Sequence, residues 1–188
     1  MHSALVAAMS IVMQPEVYVE IGIYKGETWT KCHNFCGEVH LVDPAPLDQH
    51  YHAPIHPDKR DLRNVFFYDE TSDEFFSHFK KKIDLIFIDG DHSYKSVKKD
   101  FNNAIKLLNP NGMILLHDTD PVSAEYITGG SHGGCGDVHI FLEELNEADE
   151  YSIITLPATE AGLTLVKRKG ATRKSAWGST GEEKQNVL

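Results

Sequence analysis

The sequence predicts an α/β fold in which a mainly parallel, doubly wound sheet carries helices on both faces. Strand-like and helix-like segments alternate five times along the 188 residues, and such alternation produces right-handed crossovers between parallel strands. The segment 83–89 is almost continuously apolar, which is typical of a strand covered on both faces. Two further strand-like segments end the pattern without a helix between them, so we expect an antiparallel hairpin at one edge.

The strands are predicted from short runs of apolar and β-branched residues that are bounded by residues typical of turns. The first run ends around Gly22, and the second, VHLVD, is closed by Pro44. The predicted strands are 17–23, 39–43, 65–68, 83–89, 113–116, 151–156 and 162–167.

The helices are predicted from apolar spacing and from the residues that start or stop a helix. Pro15 follows the first helix, and Thr71 or Ser72 caps the third. The fourth helix has apolar residues along one face and ends at the turn sequence NPNG, 109–112. The predicted helices are 4–13, 27–35, 71–80, 94–108 and 138–146.

Composition limits the domain count and the partners. Residues 1–168 are predicted to form one domain, and 169–188, polar and without periodicity, a disordered tail. A net charge of -10 argues against a general binder of nucleic acid, and no apolar run is long enough to span a bilayer. Three cysteines argue against a disulfide framework and fit a reducing cytoplasm, where we expect the protein to act.

The stretch VEIGIYKGETW, 19–29, lies where the first strand meets the first crossover helix, at the edge where doubly wound sheets bind ligands. A phosphate-binding loop needs a lysine after its second glycine, but Glu27 stands there. A dinucleotide fingerprint would need glycine at Glu20, where a carboxylate would repel the pyrophosphate. An acid at Glu20 instead favours a ligand that carries a positive charge.

S-adenosylmethionine is such a ligand, with an ammonium and a sulfonium group. The pattern E-x-G-x-x-x-G-x-T, formed by Glu20, Gly22, Gly26 and Thr28, resembles the first motif of the class I S-adenosylmethionine-dependent methyltransferases. Asp43 ends the second strand, 23 residues after Glu20, where an acid can accept both ribose hydroxyls.

A second resemblance is more specific. The segments DGDHSY, 89–94, and HDT, 117–119, are similar to those of a small methyltransferase family related to the macrolide and sugar O-methyltransferases. The resemblance covers about residues 15–168 and implies a Rossmann-like sheet of seven strands in the order 3-2-1-4-5-7-6. By position it implies that the glycine motif holds the methionine end of the cofactor, Asp43 the ribose, and Glu70, Thr71 and Ser72 the adenine.

Acids end two strands that are neighbours in this fold. Asp89 and Asp91 follow strand four, and Asp118 and Asp120 follow strand five. So many carboxylates need a counter-charge, which Mg²⁺ with oxygen ligands would supply. The resemblance implies that Asp89 and Asp118 bind the ion, with Thr119 at the position of a third ligand; Asp89 as a cofactor-binding acid and Asp118 as a turn residue remain the alternative.

Asp91 and His92 are the candidate catalytic bases, because an imidazole with a pKa of about 6.5 can take a hydroxyl proton near neutrality. An Asp91–His92 pair that only orders the loop is the alternative. The glycine-rich segment 129–136 is predicted to be a mobile substrate loop that includes His132.

Other polar clusters are interpreted as structural. His50, His52 and His56 suggest zinc, but an irregular loop without an acid or cysteine at ligand spacing favours solvated imidazoles. The spacing of Cys32 and Cys36 is not that of a zinc site, and we expect these thiols to be packed in the interior.

These observations favour an S-adenosylmethionine-dependent methyltransferase that acts on a hydroxyl of a small molecule, sugar-like or polyketide-like, with Mg²⁺ as a candidate cofactor. A homodimer is one way to close its site. The alternative is a protein of the same fold that binds the cofactor or a partner without catalysis. An NAD-dependent oxidoreductase is disfavoured by Glu20.

Overall fold

A seven-stranded mixed sheet organises the protein, whose structure, a computed structural model, describes residues 2–45, 62–128, 134–157 and 161–170. The strand order is β3-β2-β1-β4-β5-β7-β6, as the resemblance implies. Strands β1 to β5 are parallel, β7 is antiparallel to β5, and β6 is antiparallel to β7. The strands are β1 Val17–Ile21, β2 Glu38–Val42, β3 Val65–Tyr68, β4 Ile83–Ile88, β5 Leu108–His117, β6 Tyr151–Leu156 and β7 Leu163–Arg168.

Helices connect the strands and cover both faces of the sheet. Their bounds are α1 His2–Met13, α2 Trp29–Cys32, a 3-10 turn His33–Phe35, α3 Ser72–His78, α4 Tyr94–Leu107, α5 Ala124–Thr128 and α6 Val138–Glu147. The predicted helix 27–35 is shorter, because the chain first turns at Gly26, whose φ is +74°. Helix α5 was not predicted, and the NPNG turn is part of an irregular start of β5 rather than a separate loop.

Two hydrophobic cores lie on the two faces of the sheet. Val17, Val19 and Ile21 of β1 point into the core beneath α3, α4 and α6. Tyr18 points the other way, into the core that includes α1 and α2. Because side chains alternate along a strand, Glu20 shares the face of Tyr18. The acidic side chain of Glu20 therefore lies beneath α1 and α2.

Several predictions fall on residues outside those described. They concern His50, His52 and His56, most of the segment 129–136 with His132, and the tail from 171 onward. The three cysteines are free and buried, as expected. Among the described helices, none combines the length and the apolar character that crossing a membrane requires.

Candidate active site

The glycine stretch joins two strands at the carboxyl edge of the sheet. Gly22 has φ +86°, and a Cβ there would lie 2.2 Å from the carbonyl oxygen of Asp89. A Cβ on Gly26 would lie 2.6 Å from Nε1 of Trp29. Only glycine lets the end of β1 approach the end of β4 this closely. The motif therefore has a structural role that is independent of any ligand.

Glu20 is buried directly behind this loop. Its side chain is 1% exposed and accepts a 2.6 Å hydrogen bond from the hydroxyl of Tyr18. Burial raises the pKa of Glu20 to about 8, although the hydrogen bond from Tyr18 opposes the shift. Glu20 is thus mainly protonated at neutral pH in this state, which differs from the negative charge expected from the sequence. Thr28, also buried, precedes α2 and makes no side-chain cap.

Asp43 holds the glycine loop from the neighbouring strand. One carboxylate oxygen accepts the backbone N–H of Ile23 at 2.9 Å, and the other accepts that of Ala45 at 2.9 Å. The oxygen that accepts from Ile23 also accepts the backbone N–H of Tyr24 at 3.4 Å, so only the oxygen bonded to Ala45 keeps a second lone pair for a hydroxyl donor. Asp43 lies beside the glycine loop at the end of β2, and its contact with a ribose stays a prediction.

Thr71 and Ser72 begin α3 and are engaged by the protein itself. Thr71 forms a capping box with Glu74, in which each side chain bonds the backbone N–H of the other residue. The hydroxyl of Ser72 interacts with the buried carboxyl of Asp100. Their predicted contact with adenine is not tested by this geometry, which accounts for both residues as helix-start groups.

Two carboxylates and two imidazoles meet at the ends of β4 and β5. His92 Nε2 lies 3.1 Å from Asp118 Oδ2 and 3.7 Å from Asp89 Oδ1. His117 Nδ1 lies 3.0 Å from Asp89 Oδ1 and 3.2 Å from Asp118 Oδ1. Asp89 and Asp118, predicted as a pair, are therefore brought together, with an imidazole on each side.

The imidazoles supply the counter-charge that the acids require. The nearby carboxylates of Asp89 and Asp118, together with the carbonyl oxygen of Gly134, outweigh burial and raise the pKa of His92 to about 9. Burial opposes the charge on His117, but its bonds to Asp118 and Asp89 prevail and raise its pKa to about 10. Burial likewise works against ionised Asp89, yet the two histidines lower its pKa to about 2. The group is a charged cluster at neutral pH.

The structure gives His92 and Asp91 contacts that bear on their predicted role as bases, a role that stays a prediction. With its pKa raised, His92 is protonated at neutral pH in this state and has no lone pair to take a proton. Asp91 is exposed and lies at the start of α4, where its oxygens accept the N–H of Ser93 and the hydroxyl of Ser96. Asp91 therefore serves as a helix-start residue here, and its role as a base stays a prediction.

Thr119 is bonded to the neighbouring strand β7. Its buried hydroxyl accepts a 2.8 Å hydrogen bond from Thr164 of β7, on the sheet side of the chain. His92 could provide a third donor, because its Nε2 and one oxygen each of Asp89 and Asp118 all lie within 4.8 Å of one another. The sequence placed His92 at this edge but gave it another role, and it contained His117 within the HDT motif without assigning it one.

Comparisons with known proteins identify the family and the fold. A family model described as a methyltransferase domain matches residues 19–119, from the glycine stretch to the end of the HDT motif. A curated relative, an uncharacterised protein of Sinorhizobium fredii, is 27% identical over 123 residues. That match includes 57% of this chain and 14% of the relative, so the chain spans about a seventh of the relative's length.

Solved structures share the fold at low identity. The methyltransferase of Podospora anserina bound to S-adenosylhomocysteine has TM-score 0.67 and 18% identity over 89% of this chain and 78% of its own. The O-methyltransferase of Streptomyces achromogenes involved in tomaymycin synthesis, in complex with S-adenosylmethionine, has a TM-score of 0.68 and 15% identity. The match covers 90% of this chain and 80% of that protein's chain. A Bacillus cereus O-methyltransferase with S-adenosylhomocysteine has a TM-score of 0.66 and 16% identity, over 89% of this chain and 80% of its own. The chain therefore belongs to the methyltransferase domain family and has the fold of the class I S-adenosylmethionine-dependent methyltransferases.

Proposed function

We propose that the protein transfers the methyl group of S-adenosylmethionine to a hydroxyl of a small molecule, such as a sugar or a polyketide. The main support is the placement of a charged Asp89–His92–Asp118 cluster beside the glycine loop, at the carboxyl edge of a methyltransferase fold. The solved O-methyltransferases with the same fold support oxygen as the acceptor atom.

The described residues at the loop fit the cofactor. One oxygen of Asp43 keeps a second lone pair for a hydroxyl donor, as a ribose contact requires. A cationic ligand group near Glu20 would lower the pKa of that carboxyl again and draw off its proton.

The acceptor would be bound at the charged cluster. Methyl transfer is an in-line displacement, so the protein has to align the acceptor oxygen with the methyl carbon and dispose of a proton. Asp89 and Asp118 are the residues that would hold Mg²⁺ or another divalent cation. Such an ion lowers the pKa of a bound hydroxyl and orients it. His92 can take the proton only after it has lost its own.

A non-catalytic protein that binds the cofactor or a partner is the second candidate. It is favoured by Thr119, which stands at the position of the third ligand that the resemblance implies, but whose hydroxyl is buried and accepts a hydrogen bond from Thr164. It is disfavoured by Asp89 and Asp118, which lie together at the ligand edge with charges that a purely structural site does not need.

The test is a transfer assay with S-adenosylmethionine labelled in its methyl group, run on pooled sugars, phenols and polyketide alcohols and, separately, on amines. We expect label in an O-methyl product, and far less of it with Asp89→Ala. Transfer to amines alone would contradict the choice of oxygen. Binding of the cofactor without transfer to any pool would favour the non-catalytic protein.

A further inference from the structure

The donors of the Asp89–His92–Asp118 cluster are not those that magnesium prefers. Two are carboxylate oxygens, but the third is an imidazole nitrogen, and one atom from each residue lies within 4.8 Å of the others. Mg²⁺ takes oxygen ligands in near-ideal octahedral geometry. Imidazole together with carboxylate suits first-row transition metals. The composition of the cluster therefore bears on which ion it selects.

The orientation of His92 is fixed by a contact on its far side. Nδ1 lies 2.6 Å from the carbonyl oxygen of Gly134, which can only accept, so Nδ1 carries the proton. The Asp137 N–H bonds the His92 carbonyl at 2.9 Å, and a Cβ on Gly136 would lie 2.4 Å from that same oxygen. The segment after Gly134 thus packs firmly on His92. Metal-ligating histidines characteristically donate their second N–H to a carbonyl or carboxylate, which leaves Nε2 to bind the metal.

His117 orients the two acids from the opposite side. Its Nδ1 contacts Asp89 Oδ1 and Asp118 Oδ1, at 3.0 and 3.2 Å. Asp118 Oδ2 is left directed at His92 Nε2, 3.1 Å away. An outer histidine that hydrogen-bonds the ligating carboxylates is the arrangement that supports a bound ion. Both histidines thus have the contacts expected of a metal centre, one as a ligand and the other as a support.

We propose that Asp89, Asp118 and His92 Nε2 form a centre for a divalent transition-metal ion, Mn²⁺, Fe²⁺, Co²⁺ or Zn²⁺, in preference to Mg²⁺ and Ca²⁺. Binding displaces the imidazolium proton of His92 and replaces its charge with that of the ion. This inference deepens the proposed function, on which it rests only for what the ion would do to an acceptor. The competing interpretation is that the two imidazolium groups already neutralise the acids and no ion binds.

The test uses the whole chain after treatment with a chelator. Calorimetric titrations with Mn²⁺, Co²⁺, Zn²⁺, Mg²⁺ and Ca²⁺ compare the wild type with His92→Gln, in which an amide oxygen replaces the imidazole nitrogen. His78→Gln is the matched control, because His78 is a surface histidine paired with Glu70 at 2.7 Å. We expect the wild type to bind Mn²⁺ and Co²⁺ about 10- to 100-fold more tightly than Mg²⁺. His92→Gln should lose most of this preference, and His78→Gln should keep it.

A spectroscopic measurement on the wild type keeps the test independent of whether His92→Gln folds. The Co²⁺-loaded protein should show a paramagnetically shifted, exchangeable imidazole N–H resonance from the Nδ1 proton of a ligating histidine. Binding of Mg²⁺ as tight as that of Mn²⁺, or no binding of any ion, would overturn the inference. If S-adenosylhomocysteine binds while no metal does, the metal centre fails and the methyltransferase proposal stands; if neither binds, both fail.

Discussion

The two halves of the ligand edge treat their acids in opposite ways. Beside the glycine loop, Glu20 is buried against a neutral hydroxyl, and its pKa is raised to about 8. At the ends of β4 and β5, Asp89 faces two imidazoles, and its pKa is lowered to about 2. Burial raises the pKa of both carboxyls, so the difference between their pKa values comes from their partners. The Tyr18 hydroxyl donates a neutral hydrogen bond to Glu20, whereas an imidazolium places a full positive charge beside Asp89.

The glycine loop is held mainly by packing, whereas the ends of β4 and β5 are dominated by charged groups. The loop half, with Gly22, Asp43 and Glu20, is held by close backbone contacts and satisfied hydrogen bonds before any ligand arrives. The other half concentrates ionised groups that a ligand or ion can rearrange. We therefore expect substitutions in the first half to act mainly on stability and cofactor binding, and those in the second mainly on turnover.

The largest effect is expected in the charged half. Asp89→Ala removes the carboxylate that contacts both histidines, and turnover should fall on the order of 1,000-fold, because charge stabilisation at the reacting atoms is lost. The measurement is kcat with labelled S-adenosylmethionine, with Asp69→Ala, an exposed acid near the end of β3, as the control. Full activity in Asp89→Ala would remove this cluster from the mechanism.

In the loop half the largest effect should come from Gly22→Ala. The new Cβ would lie 2.2 Å from backbone of β4, and we expect a loss on the order of 4 kcal/mol in the free energy of unfolding. Gly170→Ala is the matched control, because Gly170 has a similar φ of +74° but nothing within 4 Å of its Cβ. Equal losses in urea unfolding would mean that backbone strain alone, and not the contact with β4, requires glycine.

Glu20→Gln tests the protonation of the buried acid. A pKa raised in the folded state contributes stability that is complete below the unfolded value of 4.5 and is lost as pH rises toward 8. Between pH 4.5 and pH 7 the free energy of unfolding of the wild type should therefore fall by about 3 kcal/mol more than that of the variant. Urea unfolding of both proteins across this range measures the difference. If the difference in stability between the two proteins does not change with pH, Glu20 is ionised in the folded protein.

Asp43→Asn tests how the loop is held. An amide has one accepting oxygen, so one of the N–H groups of Ile23 and Ala45 would face an NH₂ group instead. We expect a loss of about 2 kcal/mol in stability together with weaker binding of S-adenosylhomocysteine. Calorimetry and urea unfolding measure the two effects separately. Weakened stability with unchanged binding would restrict Asp43 to its structural role.

The smallest effect is expected for Thr71→Ala at the start of α3. Loss of the capping box should cost about 1 kcal/mol. If Thr71 also contacts adenine, the affinity for S-adenosylhomocysteine should fall as well, whereas adenine-free fragments of the cofactor should be unaffected. Unchanged affinity would leave Thr71 as a cap alone.

The sequence predicted the sheet and much of the loop half because those signals are local. The structure contains the predicted strand–helix alternation, the turn at the spaced glycines, and Asp43 at the end of β2. The possible role of His92 as a third metal donor was not predicted, because it depends on a long-range contact. His92 precedes Asp118 by 26 residues, and the two meet only when β4 and β5 pair in parallel.

The ionisation states also lay beyond the sequence. Counting acids showed that a counter-charge was needed, but only distances show that His92 and His117 supply it. The same is true of Thr119, adjacent to Asp118 in sequence but directed at Thr164 across the sheet. Residue type and spacing identify the candidates, and the three-dimensional contacts decide their protonation and their role.

The most direct test of the proposed function is thermal unfolding of the whole chain with S-adenosylmethionine, S-adenosylhomocysteine, NAD or ATP, each with divalent metal and with a chelator. A ligand at about 100 times its Kd adds roughly 2.7 kcal/mol, or on the order of 5–10 °C for a domain of this size. We predict that only the two sulfur ligands raise the midpoint by this amount. A shift with NAD or ATP, or none with the sulfur ligands, would contradict the assignment.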